Sequence, residues 1–409
     1  MISRTLITRI LCATAACALL AGVYFSSRPG RPLQTLGVGC AGCHVRSLLA
    51  IDGPAAAALS KGVHPIAAEQ IATPRDAAQC LSCHQNTHAT WSRSAHGRAF
   101  TNPIFQHAFA RDRKAWCLNC HAPLWNPETD GDAPEIAARP NLQKVYSEGV
   151  NCIACHVRDG EILGVTDYSK SNAQLFHPVR YDPGLARETF CAGCHQFNFV
   201  HELEPFAQYA GDEHPMQNVV AESAGTNGAL YPRGCIDCHY ADGDHSLKSE
   251  GKWALRDKIR INLQTSAARE PSGPDEPHAS PGTEKFSVQL RIDVPRLAHH
   301  FPTGDLFRIL SYYIHDARGR EVYRYDFRKE VRVIDQAVIS DTTLKPRPDQ
   351  PGAGRVVTAI VPIKPARCRV VYRLQGAIDP DIAHDFEDPN VLYETVYDGG
   401  CDFSNTTSQ

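Results

Sequence analysis

Six times the chain repeats Cys-x-x-Cys, and each time the next residue is histidine. The pairs are Cys40/Cys43, Cys80/Cys83, Cys117/Cys120, Cys152/Cys155, Cys191/Cys194 and Cys235/Cys238, followed by His44, His84, His121, His156, His195 and His239. Cys-x-x-Cys alone suits a zinc knuckle, a disulfide framework or a thioredoxin-like redox pair, but none of these needs histidine next every time. With 19 histidines among 409 residues, six such neighbours call for a chemical cause. Covalent haem attachment supplies one. Thiols one helical turn apart add across the two vinyl groups of one haem, and the adjoining histidine binds the iron through its imidazole. The sequence therefore predicts six covalently attached c-type haems, held by these cysteines, with the motif histidines as proximal iron ligands.

The motifs recur every 35 to 44 residues between Cys40 and Cys235, with no similarity beyond the motif itself. So little chain per motif cannot build its own apolar core. The porphyrins are expected to serve as the core, carried on short helices at each motif and joined by Pro/Gly loops. This assigns residues 28–267 to a hexahaem cytochrome c domain.

The Pro- and Gly-rich stretch AREPSGPDEPHASPGTEK reads as a linker, taken as 268–283, and after it the periodicity changes. Phe286, Val288, Leu290, Ile292 and Val294 alternate with Ser287, Gln289, Arg291 and Asp293, the period of a half-buried strand. Tyr323, Tyr325 and Phe327 repeat the alternation, as do Cys368, Val370, Tyr372 and Leu374. Ala317 to Arg320 sits between apolar runs as a hairpin turn would. Residues 284–409 are thus expected to form an antiparallel β-sandwich, making the fold class mixed. Cys368 and Cys401 are left over there, either as a disulfide or as two buried thiols.

At the N-terminus, Arg4 and Arg9 precede an apolar run from Ile10 to Phe25, the layout of an export signal. Covalent haem attachment in bacteria takes place outside the inner membrane, so the chain is expected in the periplasm. Val23, Tyr24 and Phe25 crowd the place where a cleavage site would fall. That favours residues 1–27 as a retained inner-membrane anchor over a cleaved signal peptide, and makes a membrane quinol a plausible donor beside redox proteins. A formal charge of -3 argues against nucleic acid as a partner.

Each iron needs something on its other face. Methionine is almost excluded, since the chain has only Met1 and Met216, so histidine is the realistic sixth ligand and the haems should be of low potential. The candidates are His96, His299, His177, His64 and His201, with His64 local to the first motif and His88 a weaker rival of His96.

The stretch from Cys80 to His121 carries Trp91-x-x-Ser94-x-His96 and CLNCHAP, and EGVNCIACH and CAGCHQF follow. Over roughly residues 78 to 247 this resembles the tetrahaem cytochrome c and hydroxylamine oxidoreductase superfamily. The resemblance implies that His96 is the distal ligand of a later haem, and it puts His245, trailing the last motif in GCIDCHYADGDH, in a similar role. AHHFPTGD resembles the GHxxPTG signature of a β-domain often appended to such cytochromes, with His299 at the motif's histidine. The chain differs in having an extra motif at Cys40, and six motifs where the catalytic octahaem enzymes have eight.

Three functions are compatible with these features. The first is a periplasmic cytochrome conducting electrons through closely packed bis-histidine haems. The second is an oxidoreductase acting on a small nitrogen or sulfur compound at one haem with an open iron. The third is a conductive filament assembled by exchange of distal histidines, which a retained anchor disfavours. The first is the leading reading, electron transfer rather than catalysis. No P-loop, dinucleotide fingerprint or serine-hydrolase elbow is present.

Overall fold

Period-two alternation in the C-terminal part becomes two stacked sheets, while the motif-bearing part folds into short helices tied by side-chain hydrogen bonds. The computed structural model describes residues 75–111, 117–126, 130, 140–170, 177–198, 215–224, 234–247, 258–268, 285–331, 337–347, 354–374 and 393–404. The expected anchor, the motif at Cys40, Cys43 and His44, and His64 and His201 lie outside the described residues. Among the described residues no helix is long and apolar enough to cross a membrane.

In the first part the helices are α1 (Ala78–Leu81), α2 (Gln85–Trp91), α3 (Pro103–Arg111), α4 (Leu118–His121), α5 (Pro140–Ser147), α6 (Cys152–His156), α7 (Glu188–His195), α8 (Val219–Ala224) and α9 (Ile236–His239). Between them lie small ribbons: β1 (Val157–Arg158), β2 (Glu161–Gly164) and β3 (Arg180–Tyr181) form one, and β4 (Gln196–Asn198) pairs with β5 (Pro215–Asn218). Apolar clusters here are small. Leu118, Ala122, Trp125 and Tyr146 make one, and Leu124, Ile153 and Ala154 another.

Polar links hold these pieces in place. Asp130 is buried and accepts from both terminal nitrogens of Arg75, at 2.5 and 2.9 Å, from the Tyr146 hydroxyl at 2.7 Å and from the Asn126 amide at 2.9 Å. Burial alone would raise its pKa, but these donors outweigh it and hold the carboxyl below its ordinary range.

The second part comprises β6 (Arg260–Ala268), β7 (Lys285–Asp293), β8 (Arg308–His315), β9 (Glu321–Phe327), β10 (Lys329–Val331), β11 (Val338–Asp341), β12 (Arg355–Val361), β13 (Arg367–Leu374), β14 (Tyr393–Gly399) and β15 (Phe403–Ser404). One sheet has the order β12-β7-β6-β15 and the other β14-β13-β8-β9, with all pairings antiparallel. Their inner faces share one core in which Val288, Leu290, Ile292, Leu310, Tyr312, Ile314 and Val370 have no exposed surface. Each such side chain contributes about 1.5–3 kcal/mol.

The hairpin between β8 and β9 turns at the expected residues: Asp316 accepts from the amides of Arg318 and Arg320, and Gly319 takes a positive φ of 77°. The first strand, β6, lies ahead of the expected linker. Ile261 and Leu263 alternate with polar residues there, and the strand pairs along its whole length with β7. Cys401, between β14 of one sheet and β15 of the other, forms a disulfide with Cys368 of β13. For a loop of 33 residues such a link is worth about 3–4 kcal/mol.

Candidate haem-binding sites

In each described motif the cysteines and the histidine lie on one turn or two of helix. Helices α4, α6, α7 and α9 end at His121, His156, His195 and His239. After α1 the turn continues to His84, whose amide donates to the Cys80 carbonyl at 2.8 Å. Helical spacing brings residues three and four apart to one face, so the thiols and the imidazole point the same way. At α6 the start is fixed by Asn151, which accepts from the amides of Ile153 and Ala154.

Four motif histidines each face a second histidine from elsewhere in the chain. Ring centres are 6.1 Å apart for His84 and His177, 6.1 Å for His195 and His96, 6.2 Å for His156 and His245, and 6.4 Å for His239 and His299. These rings are too far apart for contact stacking. A metal ion held by both rings would need about 2 Å for each metal–nitrogen bond and about 1 Å from each nitrogen to its ring centre, roughly 6 Å in all. The spacing therefore fits an iron between each pair.

Protonation fits as well. The Nδ1 atoms of His121, His156, His177, His245 and His299 donate to the carbonyls of Ala99, Leu163, Pro178, Gly243 and His300, at 2.7, 3.0, 3.2, 2.8 and 2.8 Å. His195 does the same to the Gln217 side-chain oxygen at 3.2 Å, and His96 lies 3.4 Å from the Tyr240 hydroxyl. A proton on Nδ1 leaves the Nε2 lone pair for a metal. Burial pushes His96 down to about 3 and His239 down to about 4, and lowers His121, His156 and His195 as well, so these imidazoles stay neutral as ligands must.

His96 is delivered by a clamped turn. The Trp91 indole donates to the Val150 carbonyl at 2.8 Å, Ser94 Oγ accepts from the Gly97 amide at 3.0 Å, and the Val150 amide donates to the His96 carbonyl at 3.0 Å. The two segments touch at Gly149, where a Cβ would lie 2.4 Å from the His96 oxygen, and the turn itself closes at Gly97, where a Cβ would lie 2.4 Å from the Trp91 oxygen. His88, the other histidine of that stretch, packs against the Trp91 ring instead.

His121 differs. Phe105 stacks on the face of its ring at 3.8 Å, and among the described residues no histidine stands opposite it at the spacing of the other pairs.

The thiols are also arranged across motifs. Cys80 lies beside Cys152, and Cys191 beside Cys235, each close enough to affect the other's titration. In each pair the neighbouring thiol favours one thiolate over the other, pushing Cys80 down to about 6 and lowering Cys235, while Cys152 and Cys191 rise. None of the ten described motif cysteines is in a disulfide. A structural zinc site would need four ligands converging on a point. Among the described residues no three His, Cys, Asp or Glu side chains converge in that way.

Burial of the described attachment cysteines is uneven: Cys117 is buried, Cys83 is exposed and the other eight are half-buried. Cys83 is exposed, and its sulfur accepts from Ser82 Oγ at 3.7 Å. Cys120 is only half-buried, whereas Cys117 of the same motif is buried. The enclosed positions of α4 go to Leu118 and Asn119, one of which packs on Trp125 and Tyr146. Cys83 keeps the helical spacing that attachment needs although it is exposed.

Sequence reasoning did not find Tyr240, Glu222 or the Arg75–Asp130 link. These are ordinary residue types whose roles depend on long-range contacts, and no local pattern marks them. Residues 79–157 match the family described as cytochrome c554 and c-prime, a stretch that takes in the motifs at Cys80, Cys117 and Cys152 together with His96. No curated protein matches the chain. The family match supports a c-type cytochrome with covalently bound haem that takes part in electron transfer.

Proposed function

We propose that the chain is a periplasmic hexahaem cytochrome that conducts electrons between redox partners through low-potential haems with two histidine ligands each. Bound c-type haem supplies one-electron chemistry, and the chain's residues fix where each group sits and what its iron meets. The observation that carries the reading is the set of four histidine pairs at 6.1 to 6.4 Å. On this reading His177, His245, His96 and His299 are the distal ligands for the motifs ending at His84, His156, His195 and His239. A filled sixth position suits electron transfer, because no face is left for a substrate and little rearranges between oxidation states.

The thiol contacts support a non-sequential order along the array. The motifs at Cys80 and Cys152 are neighbours, as are those at Cys191 and Cys235. Cys155 lies near enough to Cys194 to affect its own titration, joining the two pairs. His195 likewise lies near enough to His121 to lower its pKa, which supports a branch from the Cys191 motif to the motif at Cys117.

Two measurements test the proposal. Intact mass of the denatured protein should exceed the polypeptide by six haems. Electron paramagnetic resonance of the oxidised protein should be dominated by low-spin signals, and a mainly high-spin spectrum would overturn the bis-histidine reading. One observation favours the second, oxidoreductase reading at a single place, namely His121. Cyanide should leave the spectrum unchanged if electron transfer is the whole function, whereas stoichiometric binding at one haem would favour the alternative.

A further inference from the structure

Glu222 lies in α8, in the helical part of the chain, with its carboxylate 2% exposed. Three groups of the β part surround it. Thr303 Oγ1 donates to it at 2.6 Å, Lys329 Nζ at the start of β10 forms an ion pair with it, and His300 Nδ1 lies 3.9 Å away. Removing a carboxylate from water is costly unless such donors stay in place, and losing one partner of a buried pair costs more than the pair contributes.

Both ends of the arrangement are anchored. The Ala221 amide donates to Gln196 Oε1 at 3.1 Å, and Ser223 Oγ donates to Glu188 Oε1 at 3.1 Å, which ties α8 to both ends of α7 and so to the motif ending at His195. On the other side, His300 and Thr303 follow His299 by one and four residues. Phe301, between them, exchanges backbone hydrogen bonds with Leu344 at 2.8 and 2.7 Å. The His299 ring in turn donates to the His300 carbonyl, so its direction follows the backbone that Glu222 grips.

We infer that Glu222 is a positioning residue, a latch that docks the β-sandwich on the haem region and thereby keeps His299 opposite His239. The inference rests on the proposed reading that these two histidines share one iron. Without the latch the β part keeps its own core and disulfide but loses the contact that presents His299. The haem attached at Cys235 and Cys238 is then the one affected.

The test uses full-length, haem-loaded protein and reads the spin state of each haem by electron paramagnetic resonance and magnetic circular dichroism. His299→Ala defines the spectrum with that ligand gone. Glu222→Gln should shift the on/off equilibrium of His299 by at least tenfold, giving a high-spin fraction with the His299→Ala signature while other haems stay low-spin. Combining Glu222→Lys with Lys329→Glu should restore part of the low-spin signal. Thr303→Val, a milder change, should move the equilibrium the same way by less, and it serves if Glu222→Gln lowers haem content. If His299→Ala leaves all spin states unaltered, the ligand reading fails. If His299→Ala acts but Glu222→Gln and Thr303→Val match the parent, or if several haems change together, the latch is overturned.

Discussion

Tyr240 is the residue whose surroundings set it apart. It directly follows His239, its hydroxyl lies 3.4 Å from His96 Nδ1, and its ring meets that of His245 edge-on at 5.3 Å. It thus touches or adjoins proposed ligands of three different haems. Burial raises its pKa, with Cys155 and Cys191 adding to the effect, so the phenol stays protonated and its oxygen accepts from the His96 ring. Most of the other fixed imidazoles donate to a carbonyl, a better acceptor, at shorter range. An acceptor on Nδ1–H makes the imidazole more basic and stabilises the oxidised iron. Tyr240→Phe should therefore raise the potential of the haem attached at Cys191 and Cys194 and leave every haem low-spin. Because 3.4 Å is a long hydrogen bond, the rise should stay below about 59 mV, a tenfold change for one electron. His96→Ala separates the two levels: the same haem should turn high-spin while all haems remain attached, since attachment needs only the thiols. Potentiometric titration reads the first variant and electron paramagnetic resonance the second, and an unmoved spectrum in His96→Ala would remove His96 from the ligands.

At the scale of elements, what was legible in the sequence was whatever is decided locally. The alternation at 286–294 and 368–374 gave β7 and β13, Ala317 to Arg320 gave the hairpin, and each described motif gave its short turn of helix. Strand β6 was missed because Thr265, Ser266, Ala267 and Ala268 blur its alternation and its partner lies across the linker. The uneven burial of the motif thiols, with Cys83 exposed and Cys117 enclosed, was equally hidden, since the motif is the same at both places and only its neighbours differ. Histidine pairing was only half legible. Candidates could be named from the shortage of methionine together with the family resemblance, but which ring meets which depends on segments as far apart as His96 and His195. The Arg75–Asp130–Tyr146 link is a clear case of what local pattern does not reveal, and its energetics are testable. Asp130→Asn would leave the Arg75 guanidinium, itself only 18% exposed, without its counter-charge, at a cost of about 3 kcal/mol in stability. In the parent, the depressed carboxyl pKa means that this link contributes fully above the unfolded value near 4 and is lost as pH falls through the folded one. Denaturant titrations at pH 7 and at pH 3 should therefore show parent and variant far apart at the first and converging at the second. A gap that persists in acid would mean that the cost lies in packing and not in charge.

Across the whole molecule, the two parts draw their stability from different sources. In the β part, two sheets close over a continuous apolar core and Cys368 is joined to Cys401, so the fold carries its own driving force. In the motif-bearing part, the described apolar clusters have three or four buried members each, and helices of four to nine residues are too short to be stable alone. Neutral buried histidines with ring centres about 6 Å from a partner's, and thiols gathered in neighbouring pairs, leave a polar, under-filled interior unless haem occupies it. Producing the full-length chain without haem attachment should thus separate the two parts. Amides in β7, β8 and β13 should keep strong protection from hydrogen exchange, and the Cys368–Cys401 link should still form. Residues 75–247 should exchange within the dead time and be the first region cut by protease. In the haem-loaded protein the same region should be protected, and most strongly at α6 and α7, where two motifs meet through Cys155 and Cys194. Equal protection of both parts in the haem-free chain would mean that the small clusters and polar links suffice, and that the haem groups occupy a preformed fold rather than completing it.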